Sequence, residues 1–371
     1  MANCIMVGCD LHDKTLVLRY AVGRGRIEGR TLANDRPSRQ VLIAWLDQLR
    51  RSHRAGRVLF TYEASSEGFG LYDAFRESGI ECYVLAPTKI ARSAKHARGK
   101  NDGRDALQLL ELLRAYILAG NALPTVWVPD PQTRDDRELI RTRLDVSDRR
   151  TVTKNQIQSL LKRNQLHRPV GLDRSWTNDH RCWLESMACG RIGGLRAGGR
   201  AALSSLLRQL DAFETEIEVL NDQVAALSRT RRYVKTIRVL TQIKGVATLS
   251  AMVFLTELGD VRRFANRRQL AAYLGLVPTS NESGDRDDCK GHITRQGPSR
   301  IRKVLCQSTW CLIRTDSKFK AAYVSIVRRN PKHRKIAVVA IMRRLAIIMW
   351  RRACEGGPPT NQRERPPGMA A

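Results

Sequence analysis

The chain has 371 residues, of which 42% are hydrophobic, so it is long and apolar enough to bury the cores of two or more domains. Lysine and arginine number 65 against 36 aspartates and glutamates, which gives a formal net charge of +29. This excess predicts a polyanionic partner, with nucleic acid as the first choice and a membrane surface as the alternative. The longest apolar stretch, residues 336–350, is interrupted by Arg343 and Arg344, which argues against a membrane span.

Secretion and zinc binding are both disfavoured by the sequence. No charged-then-apolar signal peptide opens the chain. Nine cysteines occur without a CxxC pair, which is typical of reduced thiols in a cytoplasm. His180, Cys182 and Cys189 lie close in sequence, but their spacing fits no common zinc module. We therefore expect a cytoplasmic protein without a zinc site.

Two predicted strands near the start of the chain each lead into an acidic residue. Residues 4–10 form a short apolar run that ends in Asp10, and residues 15–22 form a second β-rich run after a turn. Residues 57–62 predict another strand, followed directly by Glu63. Because amphipathic helices alternate with these strands, we expect an α/β domain with a mixed sheet. Ligands of such sheets collect at the carboxyl ends of strands, where both acids stand.

Asp102 and Asp105 open the next helical segment, which continues to residue 116. Residues three apart share one face of a helix, so both carboxylates can point at one spot. Hard oxygen ligands of this kind suit Mg²⁺. The alternative is a capping aspartate with a second aspartate favoured by the helix dipole.

Together, Asp10, Glu63, Asp102 and Asp105 match the acid set of a nuclease centre of the RNase H type. In such a centre the acids hold two Mg²⁺ ions roughly 3.5–4 Å apart, which activate the attacking oxygen and stabilise the leaving one. Each acid taken singly is also explained as a solvated loop residue, so the prediction depends on their convergence.

Long helical segments follow the first domain. Residues 135–163 are rich in Arg and Lys, and we interpret them as a helix that packs on one side and presents cations to a phosphate backbone on the other. Residues 201–229 carry apolar side chains alternately three and four apart, which is a heptad seam. The two helices could form an intramolecular antiparallel coiled coil or a dimerisation arm. Residues 167–199 have no clear period and receive no assignment.

Two further segments are predicted to contact nucleic acid. Residues 243–247, followed by an apolar helix, resemble a helix-hairpin-helix, in which loop amides hold a phosphate. A plain helix–loop–helix with a glycine turn is the alternative. Residues 335–352 form a basic amphipathic helix near the end of the chain.

A long polar loop at residues 278–297 stands out in the otherwise helical last third of the chain. Within it, Ser283 precedes Gly284, and Arg286, Lys290, His292 and Arg295 follow. A serine can attack phosphorus when its proton is removed and cations neutralise the phosphoryl oxygens. A turn serine in a solvated loop is the alternative.

These stretches together resemble a known family. The quoted motifs are GCDLHDKT at 8–15, YEA at 62–64, GFGL at 68–71, KNDGRDA at 100–106, LAAYLGLVP at 270–278, ESG at 282–284 and GHITRQG at 291–297. In this order they are similar to the DEDD-type insertion-sequence transposases, the "IS one-ten" family.

The resemblance implies a RuvC-like N-terminal domain, related to Holliday-junction resolvases, in which Asp10, Glu63, Asp102 and Asp105 are catalytic and bind Mg²⁺. It also implies a C-terminal transposase domain with Ser283 as nucleophile. Family members move an insertion sequence through a circular double-stranded DNA intermediate, guided by a bridge RNA. They act as tetramers, dimers of dimers, in which the acids of one subunit meet the serine of another. The expected location is the bacterial cytoplasm, at the nucleoid.

We therefore predict a RuvC-like domain at 1–128, a coiled-coil helical arm at 129–232, a transposase domain at 233–354 and a disordered tail at 355–371. The predicted reaction is Mg²⁺-assisted cleavage and exchange of DNA strands through a covalent serine–DNA ester. Two alternatives stay open. One is a structure-selective, Mg²⁺-dependent RuvC-like nuclease in which Ser283 is only a loop residue, and the other is a basic scaffold without catalysis.

Overall fold

The computed structural model describes residues 4–90, 102–172, 174–280, 290–329 and 331–356. The chain divides into two compact units, of which the first ends at Val128 and the second begins at Pro129. Each unit has its own hydrophobic core. Among the helices described, none combines the length and the apolar character that crossing a membrane requires.

The first unit is built on a five-stranded mixed sheet. Its strands are β1 (Cys4–Leu11), β2 (Thr15–Val22), β3 (Glu28–Ala33), β4 (Arg57–Glu63) and β5 (Glu81–Leu85). The strand order is β3-β2-β1-β4-β5. The first three strands pair antiparallel, whereas β1 pairs parallel with β4 and β4 with β5. The predicted opening hairpin, mixed sheet and α/β architecture are confirmed.

The edge strand β3 is absent from the sequence prediction. None of its six residues is buried, so it lacks the apolar alternation by which a half-buried strand is recognised. Its place in the sheet comes from pairing with β2, in which Leu16 and Leu18 are fully buried.

Helices cover both faces of this sheet. They are α1 (Arg36–Ser52), α2 (Gly70–Glu77) and α3 (Asp102–Ala119). On one face, Leu42 of α1 and Phe75 of α2 share a core with Tyr62. On the other face, Leu110 of α3 shares a core with Met6 of β1. The first residues of α3 therefore lie on the same face of the sheet as the side chain of Met6.

An aspartate cap starts two of the longer helices. The carboxylate of Asp35 accepts a hydrogen bond from the backbone N–H of Ser38 at 2.7 Å, just before α1. Asp130 does the same for the N–H of Thr133 at 2.9 Å and is followed by Pro131 in the first helical position. Such caps satisfy N–H groups that have no partner within the helix, and proline is tolerated there.

The second unit opens with a long antiparallel helix pair. Its helices are α4 (Pro131–Arg163) and α6 (Ala197–Ser228), with α5 (Asn178–Ala188) between them in sequence. Ile157 near the end of α4 shares a core with Leu203 near the start of α6, and Ile140 shares another with Val224. The predicted seam thus packs against α4 within the chain, while its role in oligomerisation stays a prediction.

The remaining elements of the second unit include one deeply buried helix. They are α7 (Val234–Leu240), α8 (Thr248–Leu258), α9 (Arg267–Tyr273), β6 (Pro278–Ser280), β7 (Lys290–Ile293), α10 (Ser299–Thr315), α11 (Ser317–Arg329) and α12 (Arg334–Gly356). Residues 251–258 of α8 are all buried, as expected for a helix that is apolar on every side.

Three segments differ from the sequence expectation. The polar loop predicted at 278–297 pairs at its two ends as β6 and β7. The helix α11 was not predicted, although its residues Phe319 and Tyr323 pack, partly buried, against the core of the second unit. The last helix continues through Glu355 and Gly356, the first two residues of the predicted tail, and the rest of that tail lies outside the described residues.

Candidate active site

Asp10 and Glu63 stand at the same edge of the sheet, on neighbouring parallel strands. The last register pair between β1 and β4 joins Cys9 and Tyr62, and each acid is the next residue of its strand. Because side chains alternate along a strand, both acids lie on the face opposite the fully buried Cys9 and Tyr62. That is the face covered by α3.

Gly8 brings α3 against this part of the sheet. A β carbon at residue 8 would overlap the backbone oxygen of Ala106 and the backbone nitrogen of Leu110. A glycine is therefore required for the helix backbone to rest directly on β1. The first turn of α3, which carries Asp102 and Asp105, is thereby held next to the end of β1.

His12 connects the strand acid to the helix acid. Its Nε2 lies 3.0 Å from Oδ2 of Asp10 and 3.3 Å from Oδ1 of Asp102. Asp10, His12 and Asp102 each offer one ligand atom, and these atoms lie within 4.8 Å of one another. The sequence prediction used His12 only as a turn residue. The signal that could have identified it is its place in a tight hairpin turn, two residues after a strand-end acid.

The backbone around His12 is held by a chain of hydrogen bonds. The His12 N–H donates to the carbonyl oxygen of Thr15 at 2.9 Å. The Asn34 side-chain amide donates to the His12 carbonyl oxygen at 2.7 Å. Arg39 in turn donates from Nε and Nη2 to Oδ1 of Asn34, at 2.9 and 2.7 Å. These contacts fix the turn, as outer contacts do around metal ligands.

Negative charge is concentrated at Asp10. Burial raises the pKa of this carboxyl group, and the nearby carboxylates of Asp105 and Asp102 raise it further, while His12 opposes the rise. Asp105 therefore acts electrostatically on Asp10 together with Asp102. Three of the four predicted acids interact, and Glu63 is placed beside Asp10 by the strand register.

The donor set fits a divalent cation. Carboxylate oxygens are the ligands that Mg²⁺ and Mn²⁺ accept, and a nearby cation would relieve the repulsion among the acids. Two ligand atoms at right angles around such an ion, each about 2.1 Å away, are about 3.0 Å apart. The separations of 3.0 and 3.3 Å around His12 Nε2 are close to this value. Asp10, His12 and Asp102 can thus approach one ion with little rearrangement.

Ser283 lies outside the described residues, between β6 and β7 in sequence. What the structure describes is the framework on either side. β6 and β7 pair antiparallel, with Pro278 opposite Ile293. Just beyond the pair, Gly275 and Gly297 both have positive φ, at 65° and 92°, and a β carbon on Gly297 would overlap the carbonyl oxygen of Tyr273. The two ends of the segment between β6 and β7, which contains Ser283, are therefore held together by backbone contacts.

The basic helix α4 uses part of its positive charge within its own unit. Arg137 donates to the carbonyl oxygens of Thr256 and Glu257, at 2.6 and 3.0 Å, at the C-terminal end of α8. Arg141 forms a bidentate pair with the carboxylate of Glu257, at 2.7 and 2.9 Å. Arg143 is buried and donates to Asn221 of α6. The interpretation of α4 as a cationic surface therefore applies to its exposed residues only.

Cys182 and Cys189 are exposed, whereas His180 is buried. Throughout the described parts of the chain, three donors converge at Asp10, His12 and Asp102 and nowhere else.

Comparisons with known proteins identify the family. Residues 7–164 match a family model described as "Transposase" of the DEDD IS110 type, and residues 237–324 match one described as "Transposase IS116/IS110/IS902 family". Asp10, Glu63, Asp102 and Asp105 fall in the first match, and Ser283 falls in the second.

Individual proteins are similar as well. The Sinorhizobium fredii protein named "Putative transposase y4qE" is 33% identical over 254 residues, which are 68% of this chain and 58% of that protein. The Coxiella burnetii "Transposase for insertion sequence element IS1111A" is 25% identical over 75% of this chain and 73% of its own length. Among solved structures, RuvC of Thermus thermophilus is similar with 17% identity and a TM-score of 0.25, over 32% of this chain and 99% of RuvC.

Both domain matches lie in one family, in the order that the motifs predicted. The resemblance inferred from the sequence is thus confirmed at the level of the family. The chain therefore contains the two domains of IS110-type DEDD transposases, at residues 7–164 and 237–324.

Proposed function

We propose that this chain is the transposase of an insertion sequence and cuts and rejoins double-stranded DNA at a site containing Asp10, Glu63, Asp102 and Asp105. The observation that carries the proposal is the convergence of Asp10, from a strand, and Asp102, from a helix, on one imidazole, at 3.0 and 3.3 Å. Capping or solvated acids would have no reason to meet in this way. The two domain matches supply the reaction class.

The four acids would hold a divalent cation, and Mg²⁺ is the ion we propose. When bound, the cation supplies positive charge to the scissile phosphate and to the oxygen that leaves. The chain's own part is to keep the acids in place before DNA arrives. Gly8 lets α3 rest on β1, and Asn34 and Arg39 hold the turn that carries His12.

Ser283 is the nucleophile in this proposal. Its Oγ forms a bond to phosphorus while one of the phosphorus–oxygen bonds of the DNA strand breaks. The serine proton passes to water or a neighbouring base, and the leaving sugar oxygen takes up a proton to become a hydroxyl. The product is a serine–DNA phosphodiester, so the number of phosphodiester bonds is unchanged. A sugar hydroxyl of another strand can then attack this ester, release Ser283 and complete the exchange without an external energy source.

The partners we propose are donor and target DNA, a bridge RNA and further copies of this chain, arranged as a dimer of dimers. The formal charge of +29 supports a nucleic-acid partner. The assembly and the RNA rest on the family resemblance, which also places the acids of one subunit opposite the serine of another. Such an enzyme would act where bacterial DNA is, at the nucleoid.

A cell assay tests the proposal. The protein and its native element are supplied on a plasmid in a bacterial host, and the abutted element ends of the excised circle are amplified. Wild type, Asp102→Ala, Ser283→Ala and the control Ser317→Ala, an exposed serine at the start of α11, are compared at equal protein levels. We expect a circle junction in wild type and Ser317→Ala, and background signal in the other two.

Other outcomes favour the alternatives. If the circle junction survives in Ser283→Ala but is lost in Asp102→Ala, the serine chemistry is wrong and a Mg²⁺-dependent nuclease is the better description. If neither substitution changes the junction, the acid site itself is not used in excision.

A further inference from the structure

His12 stands inside the acid cluster but is not one of the four acids of the proposed site. Its Nε2 is the atom that both carboxylates approach, at 3.0 Å for Asp10 and 3.3 Å for Asp102. The side chain of His12 is 31% exposed and that of Asp10 is 18% exposed, so the cluster is reachable from solvent but is not a fully hydrated surface. A neutral imidazole has only one N–H, so Nε2 can donate to one carboxylate well and cannot satisfy both.

We propose that His12 is a direct ligand of the divalent cation at this site, through Nε2, beside the carboxylates of Asp10 and Asp102. The inference rests on the proposed function, because it takes the acid cluster to be the cation site. It adds a nitrogen donor to a site that would otherwise offer oxygen alone.

The separations suit ligation as well as they suit a hydrogen bond, so the argument depends on the number of donors that converge. All three donor atoms lie within 4.8 Å of one another, and Nε2 of His12 lies between the two carboxylates. Hydrogen bonds also hold the backbone of the turn that carries His12. Asn34 holds the His12 carbonyl oxygen at 2.7 Å, and Arg39 holds Asn34 through two hydrogen bonds. A flexible surface histidine would not need this support.

A nitrogen ligand changes which cation binds best. Mg²⁺ and Ca²⁺ prefer oxygen donors, whereas imidazole adds affinity for transition metals. With His12 as a ligand, the site should prefer Mn²⁺ over Mg²⁺. The ratio of the Kd for Mg²⁺ to the Kd for Mn²⁺ should be larger than at a site made of carboxylates alone. Losing a direct ligand should weaken Mn²⁺ binding by at least the roughly 10–100-fold that is seen when only the support of a metal ligand is removed. The effect on Mg²⁺ should be smaller.

The experiment uses the full-length chain without a polyhistidine tag, as wild type, His12→Asn, Asp10→Asn and the control His167→Asn. His167 is exposed and belongs to the second unit. Isothermal titration calorimetry gives the Kd for Mn²⁺ and for Mg²⁺. Pulsed electron paramagnetic resonance on the Mn²⁺-loaded protein detects a coordinated imidazole through its ¹⁴N coupling. Circular dichroism shows that each variant is folded.

We expect ¹⁴N coupling in wild type and His167→Asn, and its loss in His12→Asn together with weaker Mn²⁺ binding. His12→Asn retains a side-chain amide that can donate a hydrogen bond to either acid. If His12 only oriented the acids, this variant would therefore keep the Mn²⁺ preference, and wild type would show no ¹⁴N coupling. Either result would overturn the proposal.

The design separates this inference from the proposed function. Tight Mn²⁺ binding that is lost in Asp10→Asn but unchanged in His12→Asn leaves the acid site standing and removes His12 from it. If wild type binds neither ion, or if Asp10→Asn binds both as wild type does, the acid cluster is not the cation site and both proposals fail.

Discussion

Gly8 lies so close beneath α3 that a β carbon at this position would be 2.9 Å from the α carbon of Leu110 and would overlap that residue's backbone nitrogen. The contact joins the strand that ends in Asp10 to the helix that begins with Asp102. It therefore sets the distance between two of the proposed ligands. Neither Gly8 nor Leu110 takes part in the chemistry.

Gly8→Ala should move α3 away from β1. We expect a loss of about 1–3 kcal/mol in the free energy of unfolding, because backbone atoms cannot yield as a flexible side chain can. We also expect weaker cation binding, since Asp102 and Asp105 move with the helix. Chemical denaturation and calorimetry with Mn²⁺ measure the two effects. Gly56→Ala is the control, because nothing lies within 4 Å of the added carbon there. Equal behaviour of the two variants would contradict the close contact.

Asp10→Asn should stabilise the cation-free protein at neutral pH. Burial and the neighbouring acids raise the folded-state pKa of Asp10 above its ordinary value of 3.8. Folding therefore penalises the charged form of Asp10. Protonated Asp10 favours the folded state fully below the ordinary pKa, and this stabilisation is lost as the pH rises through the raised pKa of the folded state. A neutral amide removes the penalty.

The measurement for this prediction is the melting temperature in EDTA. At pH 7.5 we expect Asp10→Asn to melt above wild type, with a smaller difference near pH 4. The exposed neighbour Asp13 supplies the control Asp13→Asn. A lower melting temperature for Asp10→Asn at pH 7.5 would show that the buried and repelled charge of Asp10 is not a net cost to folding.

Arg141→Met should destabilise the second unit strongly. The carboxylate of Glu257 is only 4% exposed and is held by Arg141 through two hydrogen bonds. Removing the guanidinium leaves a buried charge without this partner, which costs about 3 kcal/mol or more. Denaturant titration measures the loss, and Arg149→Met, at an exposed position on the same helix, is the control. The double variant with Glu257→Met should recover much of the stability, and a failure to recover would argue against the ion pair as the cause.

Binding to double-stranded DNA should weaken steeply with salt, and the exposed end of α4 should contribute. Lys162 and Arg163 are exposed, unlike the arginines that α4 turns inward. If each contacts a phosphate, Lys162→Ala with Arg163→Ala should reduce the slope of log K against log salt by about 2. Fluorescence anisotropy with a labelled duplex over a series of KCl concentrations measures the slope. The control is Arg208→Ala, on α6, and a slope unchanged in the double variant would remove this part of α4 from the DNA surface.

Local patterns in the sequence were sufficient for much of the fold. The strands around Asp10 and Glu63, the helix that starts at Asp102 and the heptad seam of α6 were predicted because each has a clear period or a clear cap. The family motifs also identified the type of enzyme. These features depend on residues that are close along the chain, so they are visible without a structure.

Some elements without buried residues were missed. The edge strand β3 has no buried residues, so it lacks the alternation that separates a strand from a loop. The helix α11 also has no buried residues, and it was missed although Phe319, Tyr323 and Ile326 are spaced four and three apart, as on one face of a helix. The arginines of α4 look alike in sequence. Only packing against α8 decided that Arg137 and Arg141 face inward, where Glu257 and two carbonyl oxygens compensate their charge.

The sequence by itself predicted the four acids and their order, and its motifs identified the IS110 type of transposase domain. The tertiary structure decided that Asp10 and Asp102 meet, and that His12 lies between them. This meeting depends on the contact of Gly8 with a helix about a hundred residues away, and the parallel register of β1 with β4 places Glu63 beside Asp10. Such contacts are set by how whole elements pack, and no local pattern of residues encodes them.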